Sequence, residues 1–583
     1  MCGLLAESDV GTAVTVCGWV SARRDLGGVL FLHLRDRTGI IQVVANAESN
    51  AGVFESADKA RNEYVLRVEG EVIMRSLETV NEAIPTGTIE IYASSITILD
   101  TSLTPPIYVD DDDTANESLR LEYRFLDLRK PGMQSKLMLR SQMARLTRDY
   151  FSDNGFIEIE TPYMTKPTPE GARDFLVPSR MQKGSFFALA QSPQLFKQTL
   201  MVAGLDRYFQ IARCFRDEDL RVDRQPEFTQ IDIEMSFVDE NDVIAINEPF
   251  IRELFRQGAG FEVGEIPRMA YTEAMERFGS DKPDLRFGLE LVDLTDIVAN
   301  SSFNVYANAA KTGSVRALCA KGANSILSRR DLDSLVEFVK PYGAKGLAWF
   351  QVEEDEVKSP VSKFLTENEM QAILQRTGAE PSDIIFTVAD SDSIVFASLG
   401  ALRLKLANAL NLYEGAERYK LVWITDFPMF EYDEKEDRWD AMHHPFTSPK
   451  DECMQYLKSD PSKVFAKAYD IVANGVEIGG GSIRIHSKSV QNEVFSAIGL
   501  SEDEASEKFG FLLNALQYGA PPHGGIAYGF DRVIMILAET ENIREVIAFP
   551  KTQNHACPFT KAPAPADELA LSELAIELKP QEI

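Results

Sequence analysis

The densest run of chemistry-bearing side chains lies between Arg213 and Phe237, RCFRDEDLRVDRQPEFTQIDIEMSF. Arg213, Arg216, Arg221 and Arg224 surround the acids Asp217, Glu218 and Asp219. A guanidinium keeps its charge at any ordinary pH, and its planar fork meets two oxygens at once, which suits a polyphosphate. The carboxylates could hold a metal or keep the arginines aimed. The flanking runs RYFQIARCF and QIDIEMSF alternate apolar and polar residues. The charged run therefore reads as the tip of an antiparallel hairpin between two half-buried strands. A solvated salt-bridge loop would have the same composition. The arginines flanking Glu218, with a strand on either side, favour a working site.

Three further stretches carry compatible chemistry. In YDIVANGVEIGGGSIRIH, Asp470 and Glu477 flank a hairpin turn at Asn474-Gly475. Opposed carboxylates on adjacent strands make a magnesium clamp, completed by water and phosphate oxygens. Gly479, Gly480 and Gly481 let backbone approach a ligand, and Arg484 follows on the next extended segment. In PPHGGIAYGFDRVIMILAE, glycines lead through Gly529, Phe530 and Asp531 into Arg532 at the head of an apolar helix. That geometry can set the arginine on a phosphate. In FFALAQSPQLFKQTLM, a strand passes Gln194 into a helix whose first turn holds Lys197, a suitable place to receive an anion. The Pro/Gly loop before it carries Glu170, and adjacent His443 and His444 follow a strand-like run much later. Neighbours on an extended chain point opposite ways, so one histidine at most should face a given pocket.

These segments must be positioned by a large framework. The 583 residues suit three to four domains, and 44% hydrophobic residues can fill their cores. No apolar run approaches a membrane span, and the N-terminal residues lack a signal peptide's basic start and apolar core, so a cytoplasmic protein is expected. Six widely spaced cysteines suggest reduced thiols. A net charge of −30 argues against nucleic acid as a partner unless a local basic patch exists.

Such a patch lies near the N-terminus. Residues 1–103 show five alternating strand candidates, with a helical stretch between the third and fourth, the order of an OB-fold barrel. Arg23, Arg24, Arg35 and Arg37 crowd the first two strands, and Phe31 offers a ring for base stacking. Gln42 and Arg75 could reach base edges. The alternative has Phe31 in the core and the arginines solvated. Residues 104–130 read as a linker, with an acidic run from Asp110 to Asp113. A helical period then feeds the strand FIEIET. Residues 131–286 and 416–550 read as two halves of one catalytic domain, interrupted by a compact α+β insertion at 287–415 and followed by a C-terminal extension at 551–583.

FRDE with its charged loop, the helix–strand–proline before it, and GFDR near the end resemble motifs 2, 1 and 3 of the class II aminoacyl-tRNA synthetases. QSPQLFK is similar to the aspartate, asparagine and lysine group. The barrel and the insertion resemble the bacterial-type aspartate enzymes over essentially the whole chain. No class I HIGH or KMSKS signature and no GxxxxGK[ST] loop occurs. The resemblance implies an α+β multidomain protein: an N-terminal OB-fold β-barrel, an antiparallel-sheet catalytic domain and an α+β insertion domain.

It further implies ATP and magnesium, L-aspartate and tRNA(Asp) as partners, a homodimer formed through motif 1, and no membrane. Arg216 and Arg532 would contact the α- and γ-phosphates. Asp217, Glu218, Gln225, Glu477, Gly529, Phe530 and Asp531 would line the nucleotide site, and Asp470 and Glu477 would hold magnesium. Glu170, Gln194, Lys197, Arg216, Asp232, His443 and Arg484 would surround the amino acid. Arg24, Leu26, Phe31, Gln42 and Arg75 would meet the anticodon. With Lys197 and Arg484 aimed at one spot, the pocket is expected to be doubly cationic and to leave a cation unpaired against asparagine. Leu26 resembles the strict form of the family rather than the relaxed form that charges asparagine tRNA too. A non-catalytic RNA-binding relative would show decayed motifs, and Arg216, Glu218, Asp470, Glu477 and Arg532 are all present.

Overall fold

In the computed structural model, residues 1–168, 172–219 and 223–579 are described. The chain forms two compact units, one of Met1–Met143, Asp219–Pro226 and Ile534–Ile583, the other of Ala144–Glu218 and Glu227–Val533.

The first unit opens with a closed five-stranded barrel. Its strands are β1 (Ala13–Asp25), β2 (Val29–Asp36), β3 (Gly39–Asn46), β4 (Val65–Met74) and β5 (Ile89–Asp100), in the order β1-β2-β3-β5-β4. Helix α1 (Ala51–Lys59) fills the gap between β3 and β4, and the side chain of Asn50 caps its start by accepting from Val53 N–H. The period-two alternation sends Leu30, Leu32, Leu34, Ile41 and Val43 into the barrel core. Phe31 therefore faces outward, half-buried, opposite Arg24 on β1 and Val44 on β3.

Two of the barrel arginines are not displayed as the sequence suggested. Arg35 is buried and both carboxylate oxygens of Glu63 accept from it at 2.9 Å. Arg75 is buried too, donating to the carbonyls of Ile89 and Thr79. Gln42 donates to Glu90 at 2.7 Å. Their positions alternate correctly, but carboxylates and carbonyls within reach took them before solvent did.

The segment read as a linker is also more tied down than an acidic connector. Asp113 pairs with Lys130 at 3.0 Å, and Asp111 accepts from Gly132 N–H. Buried Arg124 donates to the carbonyls of Arg544, Ile547 and Ala548, anchoring the C-terminal segment.

The second unit is built on an eight-stranded sheet. Its strands are β6 (Ile157–Glu158), β7 (Arg207–Phe215), β8 (Glu227–Ser236), β9 (Arg268–Ala270), β10 (Leu421–Thr425), β11 (Ala468–Ala473), β12 (Val476–Ile483) and β13 (His523–Gly529). The order is β9-β10-β11-β12-β13-β8-β7-β6, antiparallel except for the two edge pairs. Strand β8 is buried on both faces rather than one. Ile231 and Ile233 face the hydrophobic side, while buried Asp232 and Glu234 take the other face. The β11–β12 turn has Asn474 and Gly475 at φ 51° and 82°, as a tight primed turn requires.

Between β9 and β10 lies a five-stranded sheet, Leu291–Asp293, Ser314–Ala320, Ile384–Asp390, Ala348–Val352 and Val357–Lys358 in spatial order, all antiparallel. Helices including Arg329–Val339 and Asp392–Ala409 cover it with leucines and valines. Among the described residues, no helix is long and apolar enough to cross a membrane.

Candidate active site

A cavity of about 420 Å³ opens over β8, β11, β12 and β13. One end is a buried ionic quartet. Helix α2 (Gln194–Val202) delivers Lys197, whose ammonium lies 2.7 Å from Asp232 Oδ1 and 3.4 Å from Glu234 Oε2. Arg484, just past β12, donates from Nε and Nη2 to the two oxygens of Glu234 at 3.0 and 3.2 Å. Its Nη1 reaches Ser482 Oγ and His444 Nε2.

The expected doubly cationic pocket is thus corrected: two buried carboxylates neutralise the two cations. Burying two bare cations would cost far more than pairing them. Each still has donor capacity. Among the described residues, four of the guanidinium's five N–H groups have partners, and the ammonium's three meet two carboxylates. Burial pushes the Asp232 carboxyl up despite Lys197. Burial acts on Glu234 as well, but Arg484 and Lys197 outweigh it and hold that carboxyl down. Among the described residues, Asp232 Oδ2 is buried with no partner, as is the side-chain nitrogen of Gln194 on the cavity wall.

Both histidines line the cavity, against the expectation that only one would. The chain bends at Met442 and His443, so the alternation of an extended strand does not apply. His443 sits at the far end, packed edge-on to Phe427, with Nε2 3.9 Å from Asp470 Oδ1. His444 receives the Arg484 hydrogen bond. Arginine and a backbone N–H can only donate; Arg484 Nη1 faces His444 Nε2, and the Phe446 N–H faces its Nδ1 at 3.2 Å, so the ring is held neutral. Burial, then Arg484, drives its pKa well below the ordinary histidine value.

The remaining groups are those the sequence assigned to phosphate and metal. Arg216 lies against the Phe228 ring at 5.1 Å, and its Nε is buried without a partner among the described residues. Glu218 lines the same wall. On β11, Asp470 pairs with Gly480 of β12, while Glu477 pairs with Val472, because a bulge separates Ile471 from Val472. The two carboxylates are therefore not directly opposed, yet they meet over Gly480. A Cβ there would stand 2.6 Å from Asp470 Oδ1 and 3.6 Å from Glu477 Oε1. Asp470 Oδ1 is buried with no hydrogen-bond partner among the described residues. An orphaned hard oxygen beside a second carboxylate fits a magnesium ion.

Burial and the Glu477 charge push Asp470 well up. Against the same burial, Lys282 and Arg532 hold Glu477 down. Arg532 donates to the Glu477 carbonyl at 3.3 Å, with Glu477 Oε2 4.0 Å away.

Several anticipated residues take other partners. Asp531 Oδ2 accepts from Thr229 N–H at 2.7 Å, locking the helix that begins at Phe530 onto β8, and Phe530 is buried. Gly529 packs next to the Arg532 stem. Asp217 forms a short bridge with Arg173. Gln225 belongs to the first unit, where both ends of its amide bond to the Lys551 backbone. Glu170 and Arg221 lie outside the described residues. Leu26 is exposed in the β1–β2 loop.

Sequence reasoning passed over Glu234, which lies behind the wall as the partner of Lys197 and Arg484, and His444, Ser482, Asp281 and Lys282 on the wall itself. Glu234 was discoverable: it stands two residues from Asp232, hence on the same face of the strand. Asp281 and Lys282 come from a loop near the insertion, and no local signal marks them.

Residues 116–553 match the family model described as tRNA synthetases class II (D, K and N). The chain belongs to this family. Residues 14–99 match the OB-fold nucleic acid binding domain. The chain is 57% identical over 581 residues to a protein of Caldanaerobacter subterraneus subsp. tengcongensis named "Aspartate--tRNA(Asp/Asn) ligase", covering 99% of this chain and 98% of that one. It is 55% identical over 581 residues to the "Aspartate--tRNA ligase" of Ruminiclostridium cellulolyticum, covering 99% and 97%. Within the class II synthetases it is thus a member of the aspartate–tRNA ligase family, whose members are enzymes that form aminoacyl-tRNA. The crystal structure of asparaginyl-tRNA synthetase from Pyrococcus horikoshii complexed with asparaginyl-adenylate shares the fold, with a TM-score of 0.57, 18% identity and coverage of 94% and 96%.

Proposed function

We propose that this chain activates L-aspartate with ATP and transfers the aspartyl group to the 3′ end of tRNA(Asp). The observation that carries the reading is the juxtaposition in one cavity of Arg216 and the Asp470–Glu477 pair with the Lys197–Asp232–Glu234–Arg484 quartet. One end suits a triphosphate and the other a small zwitterion with an acidic side chain.

The substrate ammonium fits the open Oδ2 of Asp232. Lys197 and Arg484 meet the same Glu234 oxygen, so their remaining N–H groups lie close together. A side-chain carboxylate accepts from both. Asparagine would turn an amide N–H toward one of these donors, leaving a buried donor unmatched. Selectivity then rests on donor matching within a neutral site rather than on excess positive charge.

The aspartate α-carboxylate oxygen attacks the α-phosphorus; that P–O bond forms as the bond to pyrophosphate breaks. Arg216 offsets charge at the α-phosphorus, and Arg532 grips the far end of the triphosphate. A divalent ion held by Asp470 and Glu477 would offset charge on the phosphate chain. A ribose hydroxyl of the terminal adenosine then attacks the acyl carbon, and AMP leaves. The chain's own work is positioning and charge compensation.

Aspartate-dependent ATP–pyrophosphate exchange tests the first step. Arg216→Ala should lower it by at least about a hundredfold, the scale seen when one charge-stabilising donor is removed. Undiminished exchange would overturn the assignment. Strict use of tRNA(Asp) is supported by Leu26. A second reading, charging of both aspartate and asparagine tRNAs, is favoured by the printed name of the 57%-identical relative. Labelled aspartate offered with purified asparagine tRNA decides between them, and efficient product would end the strict reading. The reading also places a homodimer in the cytoplasm; light scattering showing a monomer at micromolar concentration would contradict the former.

A further inference from the structure

Lys282 lies in the loop following helix Tyr271–Phe278. Its ammonium is 3.1 Å from Glu477 Oε2, beside Asp281 on the wall of the cavity. The loop is held firmly at both ends. Gly279 turns at φ 65°, and a Cβ there would strike the Phe396 carbonyl at 2.6 Å. Beyond Lys282, the Asp284 carbonyl accepts from buried Arg403 at 2.8 Å. The backbone is fixed, while the four-carbon stem can swing.

The two oxygens of Glu477 have different partners. Oε1 faces the point above Gly480 where Asp470 Oδ1 converges, and Oε2 faces Lys282. An ammonium this near would repel a divalent cation held by the same carboxylates. A nucleotide's phosphates would offer that ammonium better partners.

Resting on the ATP and metal reading above, we propose that Lys282 is a resident counter-cation: without nucleotide it occupies Glu477 and keeps divalent metal weakly bound. With nucleotide it turns to the phosphates and releases Glu477 to the metal. It is a positioning residue that makes metal and nucleotide bind together.

Manganese binding to the full chain, followed by its electron paramagnetic resonance signal with and without ATP, reads this directly. Wild type should bind manganese weakly alone and more tightly with ATP. Lys282→Met should tighten binding without nucleotide by about tenfold, and the gain from ATP should shrink by the same factor. Lys282→Arg should keep the wild-type pattern, and Lys282→Gln serves as a second uncharged variant should the methionine variant not fold. Unchanged or weaker manganese binding in the uncharged variants, with wild type still showing the ATP effect, overturns the proposal alone. No ATP effect in wild type would instead remove the metal reading beneath it.

Discussion

Glu234 is the residue on which the buried ionic quartet depends. It is the common partner of Arg484 and Lys197, fully enclosed on the sheet. Glu234→Gln leaves two buried cations facing one carboxylate. Unpairing a buried charge costs about 3–5 kcal/mol, so the apparent melting temperature should fall by several degrees and the KM for aspartate should change. An unaltered melting curve would mean the quartet holds nothing together. His443 gives a separate check through pH. Burial lowers its pKa from 6.5 to about 4. Above pH 6.5 folded and unfolded states are both neutral there, so the residue adds no pH dependence. Between pH 6.5 and 4 only the unfolded chain takes the proton, so stability drains away as acid is added and levels off below 4. Between pH 6.5 and 4.5, wild type should therefore lose more melting temperature than His443→Gln. Parallel curves would place His443 in open solvent.

At the scale of elements, the proposed metal cradle belongs to β11 and β12, the second of which carries three consecutive glycines. Gly480→Ala puts a methyl 2.6 Å from Asp470 Oδ1, the end of a side chain that can turn aside. The strand should survive while exchange activity drops by about tenfold to a hundredfold, as when a ligand's supporting contact is lost. Gly481→Ala differs: its methyl meets the Gly525 carbonyl at 2.2 Å and the Tyr469 ring at 2.7 Å. Backbone cannot turn aside, so that variant should lose about 1–3 kcal/mol of stability, the usual range for overpacking. Denaturant melts of the two variants separate the cases, and equal stability would show that the strands have slack at Gly481.

For the molecule as a whole, the acidic total of −30 coexists with a nucleic-acid barrel because the positive groups needed are local. Arg24 and the outward Phe31 stand opposite each other on β1 and β2. Phe31→Ala should cut tRNA charging roughly ten- to hundredfold, since a base–aromatic stack is worth about 1–3 kcal/mol. Amino-acid activation, which needs only the second unit's cavity, should stay within about twofold. Equal losses in both assays would show that the ring supports folding instead.

Read alone, the sequence determined the five barrel strands with a helix between the third and fourth, the tight turn at Asn474-Gly475, and Arg216, Asp470, Glu477 and Arg532 as charged groups suited to phosphate and metal. All of these follow from local rules: period-two burial, turn residues and fixed side-chain charge. It could not say that Lys197 and Arg484 arrive already neutralised, that His443 and His444 share one cavity, or that Lys282 touches Glu477. Those depend on residues 35, 250 and 195 positions apart meeting across the fold. Only close packing decides which charge buries which, because a buried ion must be matched by whatever neighbour the fold supplies.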